Sequence, residues 1–263
     1  MSRVIEFYKY QGTGNDFIIL DGRTDHPSLN ESTIAKWCDR RFGIGADGLM
    51  IVLNPTEAGA DFTMKYYNAD GKEGSMCGNG GRSMVQFVVD QGLVKPRYKF
   101  NAVDGWHEAF VDDNGWVHLH MTSVSQVEST DTNSYKLNTG SPHWVQFVQE
   151  IEEFPVVDAG QAIRYSSAFK KEGINVNFIE WQGEKLFVRT YERGVEGETY
   201  SCGTGVTAAA LVSKKHAPGT HRVAIKTLGG SLAVQFHANE DGSFQDIWLQ
   251  GPAKFVFKGE ITL

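Results

Sequence analysis

Cysteine stands at positions 77 and 202 inside two versions of one motif. Glu73-Gly-Ser-Met-Cys77-Gly-Asn-Gly80 and Glu198-Thr-Tyr-Ser-Cys202-Gly-Thr-Gly205 both read Glu-x-x-x-Cys-Gly-x-Gly, 125 residues apart. A thiol is a weak acid with a pKa of about 8.5, and at the start of a helix the unpaired backbone N–H groups stabilise its thiolate. Those N–H groups, uncovered by Gly78, Gly80, Gly203 and Gly205, also make a nest for a carboxylate. Two equivalent acid/base groups suit removal of a proton from one face of a carbon and delivery of another to the opposite face. That reaction is racemisation or epimerisation without a cofactor. Because the α-carbon of an amino acid is a feeble acid, such a site must stabilise developing negative charge and exclude water.

Other uses of the two thiols fit less well. Zinc would want paired ligands of the Cys-x-x-Cys kind, and the eight histidines form no matching cluster, so no metal is expected. A Cys-His hydrolase needs one nucleophile and one base rather than two equal thiols. A disulfide between them leaves the glycines unexplained. An inert buried thiol is the common fate of one cysteine and accounts poorly for two matched ones. Cys38, in Ser32-Thr-Ile-Ala-Lys-Trp-Cys38-Asp-Arg-Arg, has no glycine context and is expected in the core.

The elements that must carry the thiols repeat as well. Phe62 and Tyr66 match Phe187 and Tyr191 at the same offset, in alternating stretches rich in β-branched and aromatic residues, which predicts strands. After each cysteine, Gly81-Arg-Ser-Met-Val-Gln-Phe-Val-Val-Asp and Val206-Thr-Ala-Ala-Ala-Leu-Val-Ser-Lys-Lys have the composition of helices. Further strands are expected at 4–10, 17–21 and from Leu49, then at 97–103, 106–111 and 115–121 around the hairpin turn Asp112-Asp-Asn-Gly115. In the second half they are expected near 143–148, 174–181, 185–192, 221–226, 231–237 and 244–249, with one helix, after Cys202. Another helix should start near Asn30 or Ser32 and stop by Gly43. Neither half alternates strand and helix as a doubly wound sheet does, so the expected class is α+β, mostly antiparallel sheet around few helices. The polar run Gln126–Ser134 is the expected passage between two closely packed halves.

With 41% hydrophobic and 22% charged residues in 263, the composition is that of a globular protein with a sizeable core. No apolar run is long enough to span a bilayer, and the amino-terminal stretch alternates like a strand, so no membrane partner and a cytoplasmic location are expected. A net charge of −7, with Lys170-Lys171 and Lys214-Lys215 only as pairs, argues against a nucleic-acid partner. Three cysteines make no disulfide framework.

The order Gly12-Thr-Gly-Asn15-Asp-Phe, Gly43-Ile-Gly-Ala-Asp-Gly48, Asn68-Ala-Asp-Gly71, Met76-Cys77-Gly-Asn-Gly80, Gly140-Ser-Pro-His143, Asn175-Val-Asn-Phe178, Tyr191-Glu192-Arg193-Gly194, Ser201-Cys202-Gly-Thr-Gly205 and Gly229-Gly-Ser-Leu232 closely resembles the diaminopimelate epimerases. The resemblance runs from the first strand to Gly251-Pro-Ala. It implies cofactor-independent interconversion of LL- and meso-diaminopimelate on the route to lysine and peptidoglycan, by a homodimer. It also implies two pseudo-symmetric domains, each a sheet or barrel wrapped around a central helix, here 1–124 with 250–263 and 125–249. Carried over by position, Cys77 and Cys202 are the acid/base pair, with Cys202 the acceptor from the LL substrate and Cys77 the donor. His143 and Glu192 resemble the residues that tune the thiols. Asn15, Asn68, Asn79, Asn175, Glu192 and Arg193, with the backbone at Gly78, Gly203 and Thr204, resemble the substrate contacts. Arg193 suits a carboxylate by bidentate pairing, whereas each Asn taken alone reads more readily as a turn former.

Two positions depart from the pattern. Ser141 stands where the family often has Asn, and Gly48 where some members carry Gln, so affinity is more exposed to change than mechanism. A proline or hydroxyproline racemase shares the cysteine pair but typically has His where Asn79 stands. A catalytically dead amino-acid-binding protein is disfavoured by both cysteines. A dinucleotide enzyme would lean on Gly12-Thr-Gly14, which no Gly-x-Gly-x-x-Gly completes.

Overall fold

Alternation buries Ile5, Phe7 and Lys9 of a first strand, β1 (Val4–Gly12), until a bulge between Lys9 and Tyr10 shifts the phase and buries Tyr10 and Gly12. The turn Thr13-Gly14, with both residues at positive φ, sends the chain back as β2 (Asn15–Asp21). In the computed structural model, which describes residues 3–25 and 27–263, the chain divides into two units, Met1–Leu119 with Pro252–Leu263 and His120–Gly251.

The first unit continues through helix α1 (Glu31–Cys38), β3 (Gly48–Leu53), β4 (Phe62–Asn68), helix α2 (Gly78–Asp90), β5 (Tyr98–Ala102), β6 (Gly105–Val111) and β7 (Val117–His120). The second holds β8 (Glu128–Asp131), β9 (Ser134–Asn138), β10 (Pro142–Phe147), α3 (Val156–Arg164), β11 (Asn175–Gln182), β12 (Lys185–Glu192), β13 (Gly197–Thr199), α4 (Gly203–Ser213), β14 (Gly219–Thr227), β15 (Gly230–Ala238) and β16 (Phe244–Gly251). The last strand, β17 (Lys254–Thr262), returns to the first unit and pairs with β1.

Strand pairing repeats between the units. In the first the order is β17-β1-β2-β3-β4-β5-β6-β7, antiparallel except for the parallel pairs β2–β3 and β4–β5. In the second it is β8-β9-β10-β11-β12-β14-β15-β16, antiparallel except for β10–β11 and β12–β14. Each parallel pair needs a crossover, and each crossover contains one helix: α1, α2, α3 and α4 in turn. The carboxyl-terminal strand β17 therefore takes in the first unit the place that β8 takes in the second. Residues 121–124 join the second unit because the amides of Met121 and Val124 donate to Ile247 and Phe244 of β16, at 2.8 and 2.9 Å.

The helices that follow the two cysteines are the buried ones. Along α4, Ala208, Ala209, Ala210 and Leu211 are fully buried and the helix is apolar around almost its whole circumference, so it is stable only inside a sheet. α2 is buried from Gly78 through Val85 and at Phe87 and Val88, against β1, β2, β3, β6 and β17. α1 starts where the Asn30 side chain accepts from the Thr33 amide at 2.8 Å, and stops where the Asp39 carboxylate takes the amides of Arg41 and Phe42.

Five elements were not expected: the short strands β9 and β13, and α3, β8 and β17. α3 carries Gly160 in its middle, which lowers helix propensity, yet a β-carbon there would lie 2.6 Å from Tyr191 Cγ, so glycine is what lets α3 lie close on β12. β8, in the polar run read as a passage, is exposed at all four residues and shows no alternation to find. β17 is exposed along most of its length, at Phe255, Val256 and Phe257 among others, which hides its period in the same way.

Candidate active site

Cys77 and Cys202 occupy the same place, the N-cap of α2 and of α4, with extended backbone at φ −91 and −114°. Neither side chain caps its own helix. The carbonyls of Cys77 and Cys202 accept the first intrahelical bonds, from Gly81 at 2.7 Å and Val206 at 2.9 Å. The amides of residues 78–80 and 203–205 therefore have no carbonyl within their helix to bond, and they are the donors that favour a thiolate or a bound carboxylate. Cys38 differs. It lies in the core with Ile34 and Trp37, and burial pushes its thiol up to about 11.

In the first unit Asn15, Cys77, Gly78 and Asn79 come together. The Cys77 thiol donates to Asn15 Oδ1 at 3.6 Å, and Asn79 Nδ2 donates to the same oxygen at 3.2 Å. Asn15 is itself fixed from behind, because its Nδ2 donates to Asp47 Oδ2 at 2.6 Å. Arg40 bridges Asp47 and Asp16, and buried Lys9 completes the network on Asp16 at 2.8 Å. Burial pushes the Asp16 carboxyl up, but the bonds and charges of Arg40 and Lys9 outweigh it and hold the group down at about 2. On the other side of Asn79, its Oδ1 accepts from Arg82 Nη2 at 3.0 Å. Gly12-Thr-Gly14, weighed above as a nucleotide loop, is instead the β1–β2 turn, with Thr13 Oγ1 accepting from Arg82. Asn68 ends β4, where its side chain lies against Gly74 on the approach to Cys77. Gly48 has no room for a larger residue, since a β-carbon would sit 2.6 Å from the Tyr66 ring and 2.7 Å from the Tyr67 carbonyl.

In the second unit the adjacent strands β10 and β11 place His143 opposite Asn175. Asn175 Oδ1 accepts from the Arg193 amide at 2.9 Å, and its Nδ2 donates to Ser141 Oγ at 2.9 Å. The Arg193 guanidinium donates to Ser141 Oγ at 3.4 Å and to the Glu172 carbonyl at 3.1 Å. Ser141 thus joins the cluster and fills the place of the amide that the family often has. Glu192 accepts from Thr199 at 2.9 Å, Cys202 Sγ lies 3.5 Å from Thr204 Oγ1, and the Thr204 carbonyl accepts from Thr139.

His143 is fully buried, and burial, with the nearby Arg193 charge, pushes its pKa down to about 3. It is a neutral imidazole at any ordinary pH. Asn177 Nδ2, which only donates, lies 3.1 Å from His143 Nδ1, so the ring proton is on Nε2. Asn177 also meets the start of α4, because a β-carbon on Gly205 would overlap its Oδ1 and lie 3.3 Å from Cys202 Sγ. Gly205 is glycine for that packing as well as for an uncovered amide.

Sequence reasoning missed Asn177 and Arg82. The signal for Asn177 was its i, i+2 relation to Asn175, two amides on a face of β11 that continues as Ile179 and Trp181. The signal for Arg82 was a charge within a helix whose other positions read as core. Among the described residues, no three or more His, Cys, Asp or Glu side chains converge to hold a metal ion, and no helix is long and apolar enough to cross a membrane.

Comparison with known proteins extends these observations. The family model for diaminopimelate epimerase matches residues 7–127 and again 135–256, one stretch in each half. The diaminopimelate epimerase of Flavobacterium psychrophilum is 46% identical over 260 residues, covering 98% of this chain and all of the relative. That of Chlorobaculum tepidum is 41% identical, covering 96% and 99%. Among solved structures, a phenazine biosynthesis protein of the PhzF family from Bacillus anthracis superposes with a TM-score of 0.78 at 15% identity, covering 99% of this chain and 100% of that one. A hydroxyproline epimerase from Agrobacterium vitis superposes at 0.71 with 13% identity, covering 99% and 93%, a likeness of fold alone. With both halves matched and identity above 40% along nearly its whole length, the chain belongs to the diaminopimelate epimerase family.

Proposed function

We propose that the protein interconverts LL- and meso-2,6-diaminopimelate, without a cofactor, by removing the α-proton with one thiol and supplying another from a second. In the LL direction the Cys202 thiolate takes the α-proton, and the Cys77 thiol supplies a proton on the opposite face of the carbon. The roles exchange in reverse. The single observation that carries this reading is that each of the two family-matched halves presents one cysteine as the N-cap of a buried helix.

The remaining residues take roles that follow from their chemistry. The amides of Gly78, Asn79, Gly203 and Thr204 stabilise the negative charge that develops as the α-carbon is deprotonated. Asn15, whose Oδ1 accepts from the Cys77 thiol, holds that thiol in its donor form. His143, neutral and buried, supports the thiol chemistry as an uncharged ring rather than as a cation, and among the described residues its Nε2 has no hydrogen-bond partner. Glu192 shares that tuning role. Arg193, steadied by Ser141 and Asn175, pairs with a substrate carboxylate, and Asn68, Asn79 and Asn175 contact the polar distal end. The protein acts as a cytoplasmic homodimer in this reading, which is supported by three cysteines in a chain with no disulfide framework and by the exposed apolar run Phe255-Val256-Phe257.

The experiment is incubation of the reduced protein with LL-diaminopimelate, and separately with L-proline, in deuterated water. α-Deuterium should enter diaminopimelate only. Exchange with proline alone would assign the protein to the racemases, and exchange with neither would leave a binding protein.

A further inference from the structure

A guanidinium taken out of water costs several kcal/mol unless an anion and hydrogen bonds compensate it. Arg82 is 0% exposed, and among the described residues no carboxylate lies within ion-pair distance of it. Its Nη atoms donate to the Gly78 carbonyl, Thr13 Oγ1 and Asn79 Oδ1, at 3.3, 3.4 and 3.0 Å, and its Nε has no partner. Three neutral acceptors do not balance a buried cation. The hydrogen bonds then run in a chain: Arg82 Nη2 donates to Asn79 Oδ1, Asn79 Nδ2 donates to Asn15 Oδ1, and the Cys77 thiol donates to that same Asn15 oxygen. The group at the end of that chain which can become an anion is Cys77.

We propose that Arg82 is the buried counter-charge of the Cys77 thiolate, a positioning residue that stabilises this thiol after it has given up its proton. The proposal rests on the reading of Cys77 as an acid/base group. It assigns Asn15 and Arg82 opposite effects. Asn15 Oδ1 accepts from the S–H and favours the thiol, while Arg82 acts through Asn79 and through space to favour the thiolate. A thiol held between those pulls gives and regains a proton at little cost. Burial lowers the Arg82 pKa and the Cys77 charge raises it, and at about 10 the guanidinium still carries its proton at neutral pH. The residue at the matching offset in the second unit is Thr207, whose hydroxyl donates to the Gly203 carbonyl at 2.9 Å. The second thiol has no equivalent cation on its helix.

Alkylation by iodoacetamide, followed residue by residue through peptide mass across pH 6 to 10, reads the thiol and not turnover. It therefore stands apart from whether diaminopimelate is the substrate. Arg82→Gln, which keeps a donor for Asn79, should slow Cys77 alkylation at pH 7 roughly tenfold, the effect of about one pH unit on the thiolate fraction, and leave Cys202 within twofold. Arg82→Lys, which keeps the charge, should restore the Cys77 rate to within about threefold of wild type. An unchanged Cys77 profile in the Gln variant overturns the proposal, as does equal slowing of both thiols. Should Arg82→Gln open the core and label Cys38, stability of Cys77→Ser and Cys202→Ser in urea decides instead. The proposal expects the wild type and Cys202→Ser to gain more stability than Cys77→Ser from pH 7 to pH 9, above the window in which His143 titrates. A parallel pH response in all three contradicts it.

Discussion

The two thiols share a backbone setting and differ in the side chains that their own unit places beside it. Cys77 sits at the end of a network that holds Lys9, Asp16, Arg40, Asp47 and, within its own helix, Arg82. Cys202 sits at the end of a helix of Thr, Ala, Leu and Val, beside an Asn177 that is itself tied to a neutral His143. A duplicated frame thus repeats the helix start and its glycines and varies the side chains around them. This suits a substrate whose two faces are chemically alike at the reacting carbon and unlike beyond it.

The comparison breaks most visibly at the thiols. Cys77→Ala and Cys202→Ala should each lower kcat for epimerisation by about a thousandfold or more, within the range that general acid/base groups contribute. If one variant keeps near-normal turnover, the two halves are not partners in one proton transfer.

Acid should separate the units next. The folded pKa of His143, about 3, lies below its ordinary 6.5, so the unfolded chain takes up the extra proton as pH falls through that window. Stability should fall with pH below 6.5 by about 1.4 kcal/mol per unit, and His143→Gln should remove that slope. In the first unit Asp16, held down at about 2 against an ordinary 3.8, contributes stability that is lost only between those values. Hydrogen exchange should therefore show β10 and β11 losing protection between pH 6 and 4 while β1 and β2 hold. The reverse order would show that the charge networks have been assigned to the wrong halves.

The matched glycines differ more subtly. A β-carbon on Gly205 would run into Asn177, which the strand holds in place, whereas on Gly80 it would meet the flexible Met50 sulfur at 3.2 Å. Urea unfolding should find Gly205→Ala destabilising by about 2 kcal/mol more than Gly80→Ala. Equal costs would mean that Asn177 moves aside and does not fix the start of α4.

Much of this was legible in the sequence because it repeats. The motif around each cysteine, the strand before it and the helix after it carried their own period, and the pairing order of the two sheets follows the same duplication. Elements outside the repeat's apolar signal were not legible. β8 and β17 are exposed on both faces, and α3 is interrupted by a glycine whose reason is a contact with Tyr191, far along the chain. The motif residues could be named from the sequence, but the side chains that hold them could not. Asn177 and Arg82 act through contacts made by folding, to His143 and to Asn79, that no spacing announces.

The central claim, that one thiol removes the α-proton and the other supplies a new one, is tested most directly by converting LL-diaminopimelate in deuterated water and stopping below about a tenth of the reaction. Two thiols predict that the meso product carries one deuterium at the inverted α-carbon while the recovered LL substrate carries none, because the base that removes the proton is not the acid that returns one. Product that retains its protium, or substrate and product labelled to the same extent, would contradict the account.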